Sequence, residues 1–161
     1  MNANALREDR MGVLVHYSDG DYASTVEWCK DPVSKVSYNT CIGPDGQIAS
    51  IVPYDMRAWH AGVCRTSNPD QLPYHDANSA FEGLALSGGP QFGPPTDAQV
   101  STLVTLIKAR FAANGWDTSE TWRITGHDIE AWPRGRKEDP TGPDRSQPWL
   151  SLDAVRDAVA T

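Results

Sequence analysis

Only three cysteines, Cys29, Cys41 and Cys64, occur in 161 residues. The number is odd and no CxxC pair is present, which excludes a disulfide framework. They are expected to be reduced, partly buried thiols, and no pattern around them marks a nucleophile. No apolar run approaches the roughly 20 residues of a membrane span, so no membrane partner is expected. The N-terminal MNANALREDRMG lacks the apolar core and small-residue cleavage site of a secretory signal. Cytoplasmic synthesis follows as the expectation, with any export needing outside help. Basic residues are scarce as well, 14 Lys and Arg against 21 Asp and Glu, for a net charge of −7. A phosphate backbone is bound through clustered cations. Here the one local group, Arg134, Arg136 and Lys137, is interleaved with Asp128, Glu130, Glu138 and Asp139. Nucleic acid is therefore excluded as a partner.

What is present fits one α/β domain. Residues 1–10 are polar and expected to be frayed; residues 11–161 form the domain. Residues 12–16 read as a buried strand and 21–30 as a helix, started near Asp19 or Asp21 and stopped by Asp31-Pro32. SYNTCIG and QIASIVPY flank Pro44-Asp45-Gly46 and predict an antiparallel pair closed by a tight turn. RAWH at 57–60 is a further extended piece, and 61–78 a long surface loop. FEGLALSG at 81–88 reads as a buried strand, with Gly83 marking a close backbone approach. The clearest helix is TDAQVSTLVTLIKARFAANG. It opens on a Thr96/Gln99 capping box, carries Val100, Leu103, Val104, Ile107 and Phe111 on one stripe, and stops at Gly115. TWRITGH is the last strand, and LSLDAVRDAVA closes the chain as an amphipathic helix capped by Ser151. Strands alternate with helices, yet one pair is joined by a tight turn, which predicts a central mixed sheet flanked by helices.

Two histidines stand where apolar runs end. His16 follows Val13-Leu14-Val15, and His127 follows Ile124-Thr125-Gly126. Strand ends are rigid and hold side chains with the accuracy that metal geometry requires. Catalytic zinc takes three protein ligands and leaves a position for water. Asp128 and Glu130 are candidates for the third ligand, but immediate neighbours of His127 point elsewhere. Asp139, twelve residues on and beyond Pro133 and Gly135, can be presented by a returning loop and is the preferred choice. Trp28 and Trp116 are expected in the core, Trp132 in either role, and His75 on the surface without function.

The ordered set of an early strand-end His, SYN before the PDG turn, RAWHAG, and GHDI…PxGRKxDPxGP resembles the zinc N-acetylmuramoyl-L-alanine amidases. That family includes phage endolysins, cytosolic anhydro-muropeptide amidases and peptidoglycan recognition proteins. The resemblance spans roughly residues 12–145. It implies a mixed sheet with a zinc in a surface groove, His16, His127 and Asp139 as ligands, and Tyr38 and Lys137 as catalytic helpers. It also implies a substrate contact from His60, with peptidoglycan or a muropeptide as the partner of a monomer; Trp59 and Arg57 are expected to line the same groove, the ring to stack on sugar and the guanidinium to pair with a peptide carboxylate. One departure stands out: where recycling-type relatives carry a glutamate two residues after the strand glycine, this chain has Ala85, with Glu82 nearby. That leans toward a phage or prophage endolysin in which tyrosine serves. The alternatives are a cytosolic recycling amidase and a non-catalytic binding module.

Overall fold

The computed structural model describes residues 3–6, 10–66 and 68–161. In chain order the strands and helices are β1 (Ala3–Leu6), β2 (Gly12–Tyr17), α1 (Tyr22–Lys30), β3 (Thr40–Ile42), β4 (Ile48–Ser50), β5 (Met56–Ala58), α2 (Ala77–Ala80), β6 (Phe81–Leu86), α3 (Asp97–Asn114), β7 (Ile124–Gly126), α4 (His127–Glu130) and α5 (Leu152–Ala160). Strands β4-β3-β6-β2-β7 form one sheet. All neighbours in it run parallel except the β3–β4 hairpin. The expected mixed sheet flanked by helices is thus observed.

Residues 3–6 depart from the expected frayed terminus: β1 pairs antiparallel with β5, in a separate two-stranded sheet. Residues 1, 2 and 7–9 of that stretch lie outside the described residues. The remaining elements follow their local chemistry. Asp21 accepts from the Ser24 N–H at the start of α1, and the Thr96/Gln99 capping box opens α3. Gly115, in the left-handed region at φ 66°, ends α3. The Pro44-Asp45-Gly46 turn is closed by hydrogen bonds from the Gly43 N–H to Gln47 O and from the Gly46 N–H to Gly43 O.

Period-two alternation sorts the sheet residues between two faces. Val13, Val15, Ile42, Leu84, Leu86 and Ile124 point to one face, where Leu103, Ile107 and Phe111 of α3 and Val155 and Val159 of α5 cover them. The opposite face takes Leu14 and Phe81 into one cluster, and Cys41 into another with Val26 and Cys29 of α1. His16 alternates with Val15 and falls on that second face, near the carboxyl end of the central strand. Open parallel sheets place ligand crevices at that end.

Two expectations about tryptophan divide here. Trp116 packs partly buried against the core, edge-on to Phe111. Trp28, expected in the core, is 58% exposed. Helix α1 buries Thr25, Val26 and Cys29, and Trp28 lies off that stripe. Among the described residues no helix is long and apolar enough to cross a membrane.

Candidate metal and substrate site

The site is built from three separate parts of the chain. His16 sits in β2, which is hydrogen-bonded on both sides by β6 and β7. His127 was expected to end a strand; it instead opens the short helix α4, immediately after β7. Asp139 comes back to it through a loop. Gly135 turns at φ 82°, and the Asp128 N–H donates to Asp139 O at 2.7 Å, which brings the carboxylate beside His127. Gly126 makes this return possible. A Cβ there would stand 2.7 Å from Pro140 Cδ and 2.5 Å from Asp128 Oδ1.

One ligand atom from each of His16, His127 and Asp139 lies within 4.8 Å of the others. Asp139 Oδ2 is 2.8 Å from His16 Nδ1 and 3.2 Å from His127 Nδ1. All three side chains are buried. The rejected neighbours lie outside this cluster. Glu130 accepts from Tyr74 Oη at 2.6 Å and Thr125 Oγ1 at 2.8 Å. Asp128 turns toward Arg145, 3.5 Å away.

The outward nitrogens of the two histidines decide whether this trio fits a metal ion. His127 Nε2 lies 2.8 Å from Ala61 O, a pure acceptor, so that nitrogen carries the proton and donates. His16 Nε2 lies 3.0 Å from His60 Nδ1, and His60 Nε2 lies 3.2 Å from Phe81 O. The Phe81 carbonyl requires the proton on His60 Nε2. His60 Nδ1 is then bare, and His16 Nε2 donates to it. With Nε2 as the donating nitrogen, each imidazole turns its Nδ1 toward Asp139 Oδ2. Two imidazole nitrogens and a carboxylate oxygen converging within 4.8 Å of one another are a donor set that fits a divalent metal.

Electrostatics agree. Burial lowers the His16 pKa to about 4 against the opposing pull of Asp139, with His127 and Lys137 adding to the lowering. His16 is thus held in the neutral form at neutral pH, the form that can ligate a metal. Burial alone would raise the Asp139 carboxyl, but its contacts with His127 and His16 outweigh this and hold it well below the ordinary carboxylate range. Burial, reinforced by Asp139, pushes the Tyr38 phenol far above its usual value. The Cys41 and Cys64 thiols are pushed up to about 12, mainly by burial. All three cysteines are free, and neither of these two is a thiolate nucleophile.

The trio opens into a groove of about 650 Å³, lined among others by His127, Asp139, Tyr38, Trp59 and Lys137. The Tyr38 ring centroid is 5.0 Å from that of His16. Lys137 is exposed at the rim. Arg57 also lines the groove, with its Nε donating to Asp76 Oδ2. His60 is on the groove floor, 7% exposed, its ring turned to His16 and Phe81. The structure thus brings together every residue singled out in the sequence for this site. Trp132, 39% exposed, stacks under the Arg65 guanidinium and does not line the groove. His75 is exposed, away from the groove lining. Asn78, Gly126 and the Ala61 carbonyl escaped sequence reasoning, because their roles depend on contacts across 12 or more positions.

Glu82 does not enter the site. It alternates onto the α3 face and receives Arg110 Nε and Nη2 at 2.7 and 3.0 Å. Ala85, by contrast, is the sheet neighbour of His16 and contributes no carboxylate.

Curated relatives include N-acetylmuramoyl-L-alanine amidase A of Achromobacter lyticus, 27% identical over 128 residues, covering 79% of this chain and 66% of that protein. They also include the 1,6-anhydro-N-acetylmuramyl-L-alanine amidase AmpD of Enterobacter cloacae, 34% identical over 105 residues, covering 65% of this chain and 50% of that one. The chain thus matches between half and about two thirds of the length of these relatives. In fold it is similar to a crystal structure of an AmpD derivative, with a TM-score of 0.72 at 24% identity over 96% of this chain and 89% of that one. It is likewise similar to PlyL, with a TM-score of 0.67 at 14% identity over 99% and 88%. The family model described as N-acetylmuramoyl-L-alanine amidase matches residues 8–142, and with the His16, His127 and Asp139 cluster in place the chain belongs to that family.

Proposed function

We propose that the chain hydrolyses the amide between N-acetylmuramic acid and L-alanine, using zinc held by His16, His127 and Asp139. We further propose that its target is the polymeric wall, as for a phage or prophage endolysin. The observation that carries the reading is the convergence of three lone-pair donors at the floor of an open groove. A zinc ion bound there supplies Lewis acidity toward the scissile carbonyl and lowers the pKa of a bound water toward neutrality.

The chain's own residues perform the other tasks. Lys137, at the rim and two positions from Asp139, places an ammonium where it can stabilise the oxyanion formed on attack. Tyr38 keeps its proton, since burial and Asp139 both disfavour the phenolate. It therefore works as a hydrogen-bond donor. It can pass its proton to the leaving L-alanine nitrogen while receiving the one lost by water, a relay that leaves its charge unchanged. Arg57 and Arg136 line the groove and offer pairing to stem-peptide carboxylates. The amidase AmiD of E. coli has been solved with anhydro-N-acetylmuramic acid-L-Ala-D-gamma-Glu-L-Lys, a ligand of that kind.

Ala85 beside His16 supports the lytic reading over recycling, since no glutamate takes that position and Tyr38 is left as the proton carrier. On this reading the protein is made in the cytoplasm, works as a monomer and meets its substrate at the wall. The test compares release of L-alanine N-termini from intact sacculi and from soluble anhydro-muropeptide, with and without chelator. Chelator-sensitive cleavage of sacculi is expected. Cleavage of the soluble substrate alone would overturn the endolysin role, and chelator-insensitive cleavage would overturn the metal mechanism.

A further inference from the structure

The RAWHAG segment does something its resemblance to a substrate-binding stretch does not suggest. Two adjacent residues in it meet the outward nitrogens of both histidines, His60 at His16 Nε2 and the Ala61 carbonyl at His127 Nε2. We propose that His60–Ala61 is a clamp that fixes the tautomer and ring orientation of both metal-ligating histidines, with His60 and Asn78 as its positioning residues. The proposal rests on the metal-site reading above.

Three observations support a built device. First, the dipeptide is pinned at its backbone: a single buried oxygen, Asn78 Oδ1, accepts from the His60 N–H and the Ala61 N–H, each at 2.8 Å. One side chain thereby places both partners of the ligands. Second, the clamp has a defined polarity. Phe81 O accepts from His60 Nε2–H, which leaves His60 Nδ1 as an acceptor and obliges His16 to donate from Nε2. His16 then presents Nδ1 to the metal position. Third, the strand behind His60 is hollowed to receive the ring. A Cβ on Gly83 would lie 2.6 Å from His60 Cγ and 2.7 Å from Cδ2, so only glycine lets β6 pass there. A histidine serving as a substrate contact would offer a ring nitrogen to the groove. His60 commits one ring nitrogen to His16 and the other to Phe81 O, and it is 7% exposed.

Outer partners of this kind typically govern metal affinity by about 10–100-fold. The experiment uses zinc-loaded protein. Heteronuclear NMR of the ring nitrogens near neutral pH should find His60 neutral, protonated on Nε2 and bare on Nδ1. Competition with a chelator should show that His60→Leu weakens zinc binding by about 10–100-fold. His60→Asn should restore most of it, because Oδ1 of asparagine stands close to the place of Nδ1 and also accepts. Asn78→Ala should weaken zinc in the same direction without touching either ligand. A His60 protonated on Nδ1 in the wild-type protein overturns the clamp, and needs no variant to fold. So does a His60→Leu protein with wild-type zinc affinity and a raised KM, the signature of a substrate contact. Wild-type protein that binds no zinc would instead defeat the metal reading itself.

Discussion

Truncating Arg110 separates architecture from catalysis in this fold. Glu82 is the one carboxylate on β6, close in sequence to where recycling-type relatives place a functional glutamate. Its side chain is 1% exposed, and its charge is met by a bidentate contact from Arg110, whose own side chain is 23% exposed. Arg110 also stands 4.4 Å over the Tyr54 ring, so its planar head is held on two sides. Arg110→Ala leaves a carboxylate in the sheet–α3 interface without a cation. Breaking one partner of a buried pair costs about 3–5 kcal/mol. In a chain of this size each kcal/mol lowers Tm by about 2–4 °C, so the variant should melt roughly 6–20 °C early. Replacing both residues with leucine removes the stranded charge as well as the pair, and should recover most of that loss. The assay is thermal unfolding of the metal-loaded variants, paired with amide cleavage measured well below both transitions. Activity per folded molecule should match the wild type, because Glu82 faces away from His16. An Arg110→Ala protein that melts normally and has lost turnover would refute this assignment and return Glu82 to the chemistry.

Lys137→Ala should lower turnover about a hundredfold or more while bound zinc stays stoichiometric; near-normal turnover would remove Lys137 from the mechanism. His127→Ala or Asp139→Ala should abolish cleavage and release metal, read as zinc content of the purified variants, and a fully active variant would refute the ligand assignment. Tyr38→Phe should cost on the order of a hundredfold in turnover with zinc affinity unchanged, the loss expected for a proton carrier; a variant with wild-type turnover would remove Tyr38 from the relay. The metal-free protein should lose stability as pH falls. His16 stays neutral in the fold down to about 4, whereas the unfolded chain takes up a proton near the ordinary imidazole value of 6.5. The unfolded state thus binds more protons between those values, and unfolding free energy falls by up to about 1.4 kcal/mol per pH unit across the window. Below it the depressed Asp139 adds a second loss in the same direction. Urea unfolding at stepped pH measures the slope, and a flat profile would contradict a buried neutral His16.

The amount of this legible in the sequence follows from how local each signal is. The α3 capping box and terminal glycine, the Pro44-Asp45-Gly46 turn and the β2 apolar run are short-range, and each was readable. His16, His127 and Asp139 were readable because a metal site needs particular residue types and because a loop with Pro133 and Gly135 can return. Strand β1 was not, since Ala-Asn-Ala-Leu has weak strand character and its partner, β5, lies some fifty residues on. Trp28 lies outside the core because its helix buries the Thr25, Val26 and Cys29 stripe, which aromatic size alone does not report. The bonding of His60 was out of reach, because its polarity is set by a backbone carbonyl at Phe81, which no spacing rule reports.

The three residues that would hold a metal are positioned by different elements, and this determines what a metal would contribute to the fold. His16 is fixed by a central strand paired on both sides, and His127 by the Ala61 carbonyl. Asp139 rides on a loop tied back by the Asp128 N–H, with Gly126 giving the room. An ion held by all three would tie together residues 123 positions apart, Asp139 being the one carried by a loop. Metal binding to a site formed only in the folded chain stabilises that chain. Here the stabilisation would fall on the 131–142 loop that also carries Lys137, so on the proposed mechanism the same ion would help hold the oxyanion partner at the groove rim. Loss of metal should therefore displace Lys137 before it disturbs the sheet.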